Sequence, residues 1–334
     1  VDLRYTSYNN LAQPYRKWVI TPVVTGFLLV AITTPFTTIR PAYTMPPFIT
    51  ETPDIVDAVF RADDGRGAIG VWGASITNDN AMPDDYVMVE ANIALLDATE
   101  KNWSLFVHLL SPEGALLAQR DVYPGQGRIL TSEMQSGDAW QNTIAVRVPR
   151  YTYAPSELTV RMGWYHLPTG ERMPLDSRQE MYTIGTLQLE SRPGEVPNPL
   201  EVVFDEQARL TGYDLDRLGI TPGDSLEVTL YWEAQTTMQT DYTVFVQIID
   251  LNTQTRYAGS DAMPVNWTRP TSTWAMGEQI VDTHTLTISP DAPSGTYALI
   301  MGMYHNADGT ISRLRIRGED VDYVHLTNIR ISEG

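Results

Sequence analysis

The chain contains no cysteine, which excludes disulfides, thiolate metal sites and cysteine nucleophiles together. Basic residues are scarce: 23 Lys and Arg face 41 Asp and Glu, for a net charge of −18. Such a surface repels phosphate backbones and anionic head groups, so nucleic acid is not an expected partner. The charge reads first as a solubility device. Histidine is sparse, and His108, His166, His284, His305 and His325 form no metal-spaced pair of the H-E-x-x-H kind. No G-x-S-x-G elbow and no G-x-x-x-x-G-K-[ST] phosphate loop occurs. No catalytic residue is therefore assigned, and whether the chain is part of an enzyme stays open. A long helical period is also missing after residue 50.

The 334 residues are enough for about two domains. With 43% hydrophobic and 19% charged residues the composition is globular. Its Trp, Tyr, Thr and Val favour strands.

Between Lys17 and Arg40 runs an uncharged stretch, WVITPVVTGFLLVAITTPFTTI, residues 18–39. As a helix it reaches across a bilayer core of roughly 30 Å. Trp18 and Tyr43 stand where an aromatic belt is expected, while Pro22, Gly26, Pro35 and six Thr dilute the run. Such breakers suit a helix of a multi-helix bundle. A cleaved signal peptide, a buried strand pair and a processed pilin-like helix are the competing readings. Arg4, Arg16 and Lys17 precede the run, which puts residues 1–17 on the cytoplasmic side and everything after Arg40 outside. The expected location is a bacterial cell membrane, crossed once by this chain, with the C-terminal portion periplasmic or extracellular.

Pro41, Pro46, Pro47 and Pro53 mark residues 40–54 as an extended stalk, and SRPGEVPNP at 191–199 as a linker. The segments on either side of that linker match in register. APSELTVRMGWYHLPTG from Ala154 parallels APSGTYALIMGMYHNADG from Ala292. Asn102 and Asp241, Pro83 and Pro222, and Tyr165 and Tyr304 each lie 139 residues apart, and Gly137 and Gly277 lie 140 apart. This spacing reads as a tandem duplication, with a first unit at 55–190 and a second at 200–332.

Each unit alternates apolar and polar residues. SLEVTLYWEA places Leu226, Val228, Leu230 and Trp232 on one face, and DYTVFVQIID places Tyr242, Val244, Val246 and Ile248 on one face. TPGD, SPDAPSG, LPTG and NADG supply turns. The fold class expected is all-β: two tandem antiparallel β-sandwiches, jelly-roll or immunoglobulin-like, after a transmembrane helix. Gly163 and Gly302, each followed two residues on by Tyr-His, mark a bulge or a close backbone approach.

TTPFTTIRPAYTMPP resembles the last membrane helix and exit of bacterial multi-span glycosyltransferases of the family-39, GT-C type. The stretch from ITPGDSLEVTLYWEA to GTYALIMGMYH is similar to the β-sandwich modules appended to them. The resemblance spans most of residues 18–330. It implies a membrane-associated place and a glycosyltransferase context. The catalytic acids of that family lie in an early external loop that this chain lacks, so none is carried over.

Candidate ligand residues follow from side-chain chemistry. In NWTRPTSTWAMGE, Trp267 and Trp274 could stack on sugar rings, with Tyr257 nearby and Asp261 or Arg269 bonding hydroxyls; Trp140 falls near the corresponding place in the first unit. Oxygen-rich loops offer Asp63 and Asp64, Asn306 and Asp308, and above all Asp79, Asp84 and Asp85 with Asn78 and Asn80, as calcium ligands. His166 and His305 occupy equivalent places, which favours a role in the fold. Asn102 and Asn266 begin glycosylation sequons.

The leading expectation is a membrane-tethered, outward-facing protein that binds glycan or docks an envelope partner without catalysis. The alternatives are the C-terminal tail of a polyprenyl-phosphate-sugar glycosyltransferase, and a subunit of a surface filament or layer or of a membrane complex. The chain begins at Val1 and not at Met, which reads as a processed, truncated or incompletely represented N-terminus.

Overall fold

Strands dominate the computed structural model, which describes residues 13–35, 37, 48–51, 53–175 and 179–333. A long helix, α1, spans Gln13–Thr34. It belongs to one compact unit, and the chain from Phe48 onward forms another. Most of the expected stalk, 40–47 and 52, lies outside the described residues.

Along α1 the apolar side chains Val23, Phe27, Leu28, Leu29, Val30 and Ile32 are all about half exposed or more. The hydroxyls of Thr33 and Thr34 donate back to the carbonyls of Leu29 and Val30 at 2.7 and 2.6 Å. Among the described residues no helix is long and apolar enough to cross a membrane. The uncharged run that raised that expectation extends to residue 39, beyond the end of α1.

After Phe48 come ten strands, β1 (Ala58–Arg61), β2 (Ala68–Ile76), β3 (Asn80–Ala81), β4 (Tyr86–Asp97), β5 (Trp103–Leu110), β6 (Leu116–Val122), β7 (Ala139–Arg147), β8 (Ser156–His166), β9 (Glu171–Met173) and β10 (Tyr182–Leu189). Ten more follow: β11 (Pro199–Phe204), β12 (Ala208–Leu215), β13 (Gly219–Ile220), β14 (Ser225–Ala234), β15 (Thr243–Ile249), β16 (Arg256–Ala262), β17 (Gln279–Thr287), β18 (Gly295–Ala307), β19 (Thr310–Arg313) and β20 (Val324–Ile331). The first ten make a sheet β1-β2-β4-β7 and a sheet β3-β10-β8-β5-β6 with β9 on β8. The second ten repeat this order as β11-β12-β14-β17 and β13-β20-β18-β15-β16 with β19 on β18. Each set encloses its own buried apolar cluster, drawn from both of its sheets.

The repeat runs through the register. In the first set Ile93 of β4 stands opposite Trp140 of β7. In the second, Trp232 of β14 stands opposite Ile280 of β17. The pair is the same, with the indole moved to the other strand, and Trp140 and Trp232 are both sealed from solvent. Trp140 therefore corresponds to Ile280. Trp274, by the same 140-residue spacing, corresponds to Met134, so the sequence-level match of Trp140 to the neighbourhood of Trp274 is corrected. The shift from 139 to 140 arises in the hairpin after β5 and β15. There Ser111 N–H bonds Ala115 O, whereas Asp250 N–H bonds Thr255 O across one more residue.

The repeated MG(W/M)YH string has a steric cause. Gly163 pairs with Phe106, and Gly302 with Phe245, across neighbouring strands. A Cβ on Gly163 would sit 2.4 Å from Phe106 Cζ, and one on Gly302 2.6 Å from Phe245 Cζ. The glycine leaves room for an aromatic ring on the face of the sheet away from the main cluster. Arg172 and Arg313 roof those rings at 4.7 and 4.9 Å from the centroids. His166 and His305 pack edge-on to Trp103 and Tyr242 at 6.0 and 6.3 Å.

The two sets are joined by hydrogen bonds. Tyr213, fully buried, donates to Tyr151 O at 2.6 Å. Tyr153 donates to Asp214 Oδ1 at 2.7 Å, and Asn328 Nδ2 to Leu116 O at 2.6 Å.

Candidate binding site

The connection from β16 to β17 carries the most strained backbone of the second set. Val265, Asn266 and Trp267 have φ of 53, 49 and 70°, a full turn of left-handed backbone. Trp267 N–H bonds Met263 O at 2.9 Å and Arg269 N–H bonds Pro264 O at 3.1 Å, closing that turn. L-residues resist this conformation, and a β-branched Val resists it most. In the first set the same turn is Gly125-Gln126-Gly127, with φ of 62, 58 and 85°. Two glycines there meet the conformational demand with little strain.

What holds the second turn is a buried chain of polar groups. Asp282 Oδ1 accepts Val265 N–H at 2.7 Å, and Oδ2 lies 2.9 Å from His284 Nε2. His284 Nδ1 lies 3.0 Å from Ser260 Oγ. A proton on Nε2 satisfies all three groups at once: Nε2 donates to Asp282, and Nδ1 accepts the Ser260 hydroxyl. The alternation of β17 turns Asp282 and His284 inward beside Ile280 and Leu286. The first set has Asn142 at the first of these places, whose Oδ1 accepts Gly125 N–H at 2.7 Å, and Ile144 at the second.

Serine, histidine and aspartate in this order resemble a nucleophilic relay. Here the His284 and Asp282 side chains are only 2% and 1% exposed, and the second Asp282 oxygen is committed to Val265. The relay is sealed and serves as an anchor beneath the turn.

Above the anchor, Trp267 is 56% exposed and Asn266 is also on the surface. The other expected ligand residues are not gathered around it. Trp274 is a core residue, 1% exposed, 6.4 Å from the Trp232 ring, and its indole N–H donates to Arg269 O at 3.1 Å. Its bulk fills the interior, so it offers no face to a ligand. Tyr257 packs 4.5 Å from Tyr297 and against the main cluster. Asp261 stands opposite Phe245 on β16, on the face away from that cluster, and pairs with Arg256 at 3.3 Å. Arg269 pairs with Glu278 at 2.7 Å. That guanidinium, aided by Ala275 N–H, holds the Glu278 carboxyl below its ordinary range.

Asp84 is claimed by Arg147, whose Nε lies 2.9 Å away, and Asp85 accepts Met82 N–H at 2.9 Å to close its turn. Among the described residues, Asp79, Asp84 and Asp85 are not gathered into a group of metal ligands. Among the described residues no group of three or more His, Cys, Asp or Glu could hold a metal ion. Asp64 is paired with Lys101 at 3.1 Å.

A concavity lies where the two sets meet, a cleft of about 350 Å³ walled by Arg150, Tyr151, Glu201, Arg209, Arg317 and Glu319. Arg209 is clamped between Glu201 and Glu233, so much of its charge is already neutralised.

Sequence reasoning identified Trp267 but missed the turn and its anchor. The signal was present in the first unit: at the 140-residue spacing, Gly125-Gln126-Gly127 announces the positive φ of Val265-Asn266-Trp267. No protein-family model matches the chain, and no curated protein is similar to it.

Proposed function

We propose that the chain is a non-catalytic glycan-binding protein. It is built as two tandem β-sandwich modules, presented outside a bacterial membrane by its N-terminal helix. The observation that carries this reading is Trp267, a large aromatic exposed on a left-handed turn that costs stability to maintain. Strain of this kind persists where the surroundings over-determine it, and it clusters at ligand sites. An exposed indole offers an apolar face that stacks on the C–H face of a sugar ring. Asn266 beside it supplies both a donor and an acceptor for hydroxyls. The first module, with glycine in the equivalent place, lacks the platform, so binding belongs to the second.

The repeated sheet order and the two separate buried clusters support the tandem-module part. The membrane part is supported by the uncharged run 18–39, by apolar side chains exposed around α1, and by Thr hydroxyls satisfied within the helix, as an apolar surrounding requires. The resemblance to modules appended to membrane glycosyltransferases fits the same placement.

The test is a glycan array probed with the full chain and with Trp267→Ala, followed by indole fluorescence titration of any hit. A glycan that binds the parent and not the variant supports the reading. No glycan bound, with an envelope protein captured through Trp267 instead, replaces it with a docking role.

A further inference from the structure

A free sheet edge is a template for another strand, and proteins blunt such edges with charge, proline, bulges or cover. Among the described residues, the edge strands that end the four main sheet paths are blunted, with one exception. β1 is covered where Arg61 N–H bonds Pro174 O at 2.9 Å, and β11 where Arg317 N–H bonds Val203 O at 2.9 Å. β7 is covered at one end, where Phe48 bridges Trp140 and Ile49 N–H bonds Ala139 O at 2.7 Å. β6 carries Arg120 and Asp121, and β16 carries Arg256 and Asp261. β3 and β13 are only two residues long.

β17 is the exception. It is the counterpart of β7, yet among the described residues it pairs with β14 alone, through nine residues without a register shift. Its outward side chains are Gln279, Val281, Thr283, Thr285 and Thr287, all exposed, with Val281 at 55%. None is charged, on a chain of net charge −18. The stretch has no Pro, no Gly and no Lys.

We propose that the β17 edge is a self-association surface, on which β17 of a second copy pairs antiparallel about a twofold axis through Thr283. The charge pattern selects this occupant. Between two copies of an acidic protein, contact through most faces sets carboxylates against each other. β17 against itself sets Thr283 opposite Thr283, Val281 opposite Thr285 and Gln279 opposite Thr287. Pairs of Thr with Thr and of Val with Thr favour strand pairing. The two four-stranded sheets would continue into one, and the twofold is the commonest symmetry of soluble oligomers.

The experiment measures the mass of the full chain in detergent by light scattering, for the parent and for Thr283→Lys and Thr283→Glu. Thr283 is exposed, so both variants should keep the parent's melting curve and circular dichroism. The expected result is a dimer for the parent, loss of the dimer in each variant, and its return when the two are mixed, since Lys then faces Glu. A monomeric parent overturns the proposal. So does a dimer indifferent to both substitutions, or one that fails to return on mixing.

Discussion

Asp282 Oδ1 accepts the backbone N–H of Val265 at 2.7 Å, a bond that fixes a left-handed turn on a residue type that resists it. In the first set Asn142 makes the same bond to Gly125 at the same distance. The amide oxygen of an asparagine therefore suffices for the anchoring role. Asp282→Asn should retain most of the stability, whereas Asp282→Ala leaves Val265 N–H and His284 without their partner. A buried donor left unmade costs about 1–3 kcal/mol. Urea unfolding of the two variants should differ by that amount, with equal m-values; equal stabilities would remove Asp282 from the anchor.

Trp267→Gly installs the residue that the first set already uses at this place. Releasing one L-residue from left-handed backbone is worth about 1–2 kcal/mol, less the chain entropy that glycine adds to the unfolded state. The expected outcome is unchanged or raised stability together with loss of ligand binding. A protein destabilised by more than about 1 kcal/mol would show that the indole packs for the fold, since surface changes usually stay within about 0.5 kcal/mol.

Gly163→Ala and Gly302→Ala drive a methyl into Phe106 and Phe245. Overpacking of this kind costs about 1–3 kcal/mol. Gly185→Ala is the control, because the nearest atom to its Cβ is Ile76 Cδ1 at an ordinary 3.5 Å. Thermal melts should place the first two variants below the parent and the third level with it.

Burial, helped by the Arg172 guanidinium, pushes the His108 imidazole down to about 4. The unfolded chain, with an ordinary histidine near 6.5, binds that proton first. Stability from this group is complete above pH 6.5 and drains away as pH falls toward 4. His325, also lowered by burial, acts in the same sense. His108→Phe should flatten the slope of melting temperature against pH over this window; an unchanged slope would assign it to other groups.

Much of the strand pattern was legible because burial alternates with a period of two residues. Leu226, Val228, Leu230 and Trp232 share a buried face as their spacing requires. The all-β character followed from the same signal. The site was legible only in part. Trp267 stands out as an aromatic in a stretch without strand pattern, but nothing local distinguishes it from Trp274, which fills the core. Asp282 and His284 read as ordinary polar residues on an alternating strand. Their burial is set by β16 and by the turn above them, which are distant in sequence and invisible to periodicity. The acidic loops are ambiguous in sequence, because carboxylates that close turns or meet arginines have the same composition as those that bind calcium.

The inverted placement of Trp140–Ile93 and Trp232–Ile280 bears on how two neighbouring copies of one architecture avoid trading parts. Tandem repeats are prone to swap equivalent segments while folding. Were β7 to insert beside β14 in place of β17, two indoles would collide in space shaped for one; were β17 to insert beside β4, two isoleucines would leave a void. Each copy thus rejects its sibling's strand through volume alone, and genetic exchange of a single strand between the copies meets the same barrier.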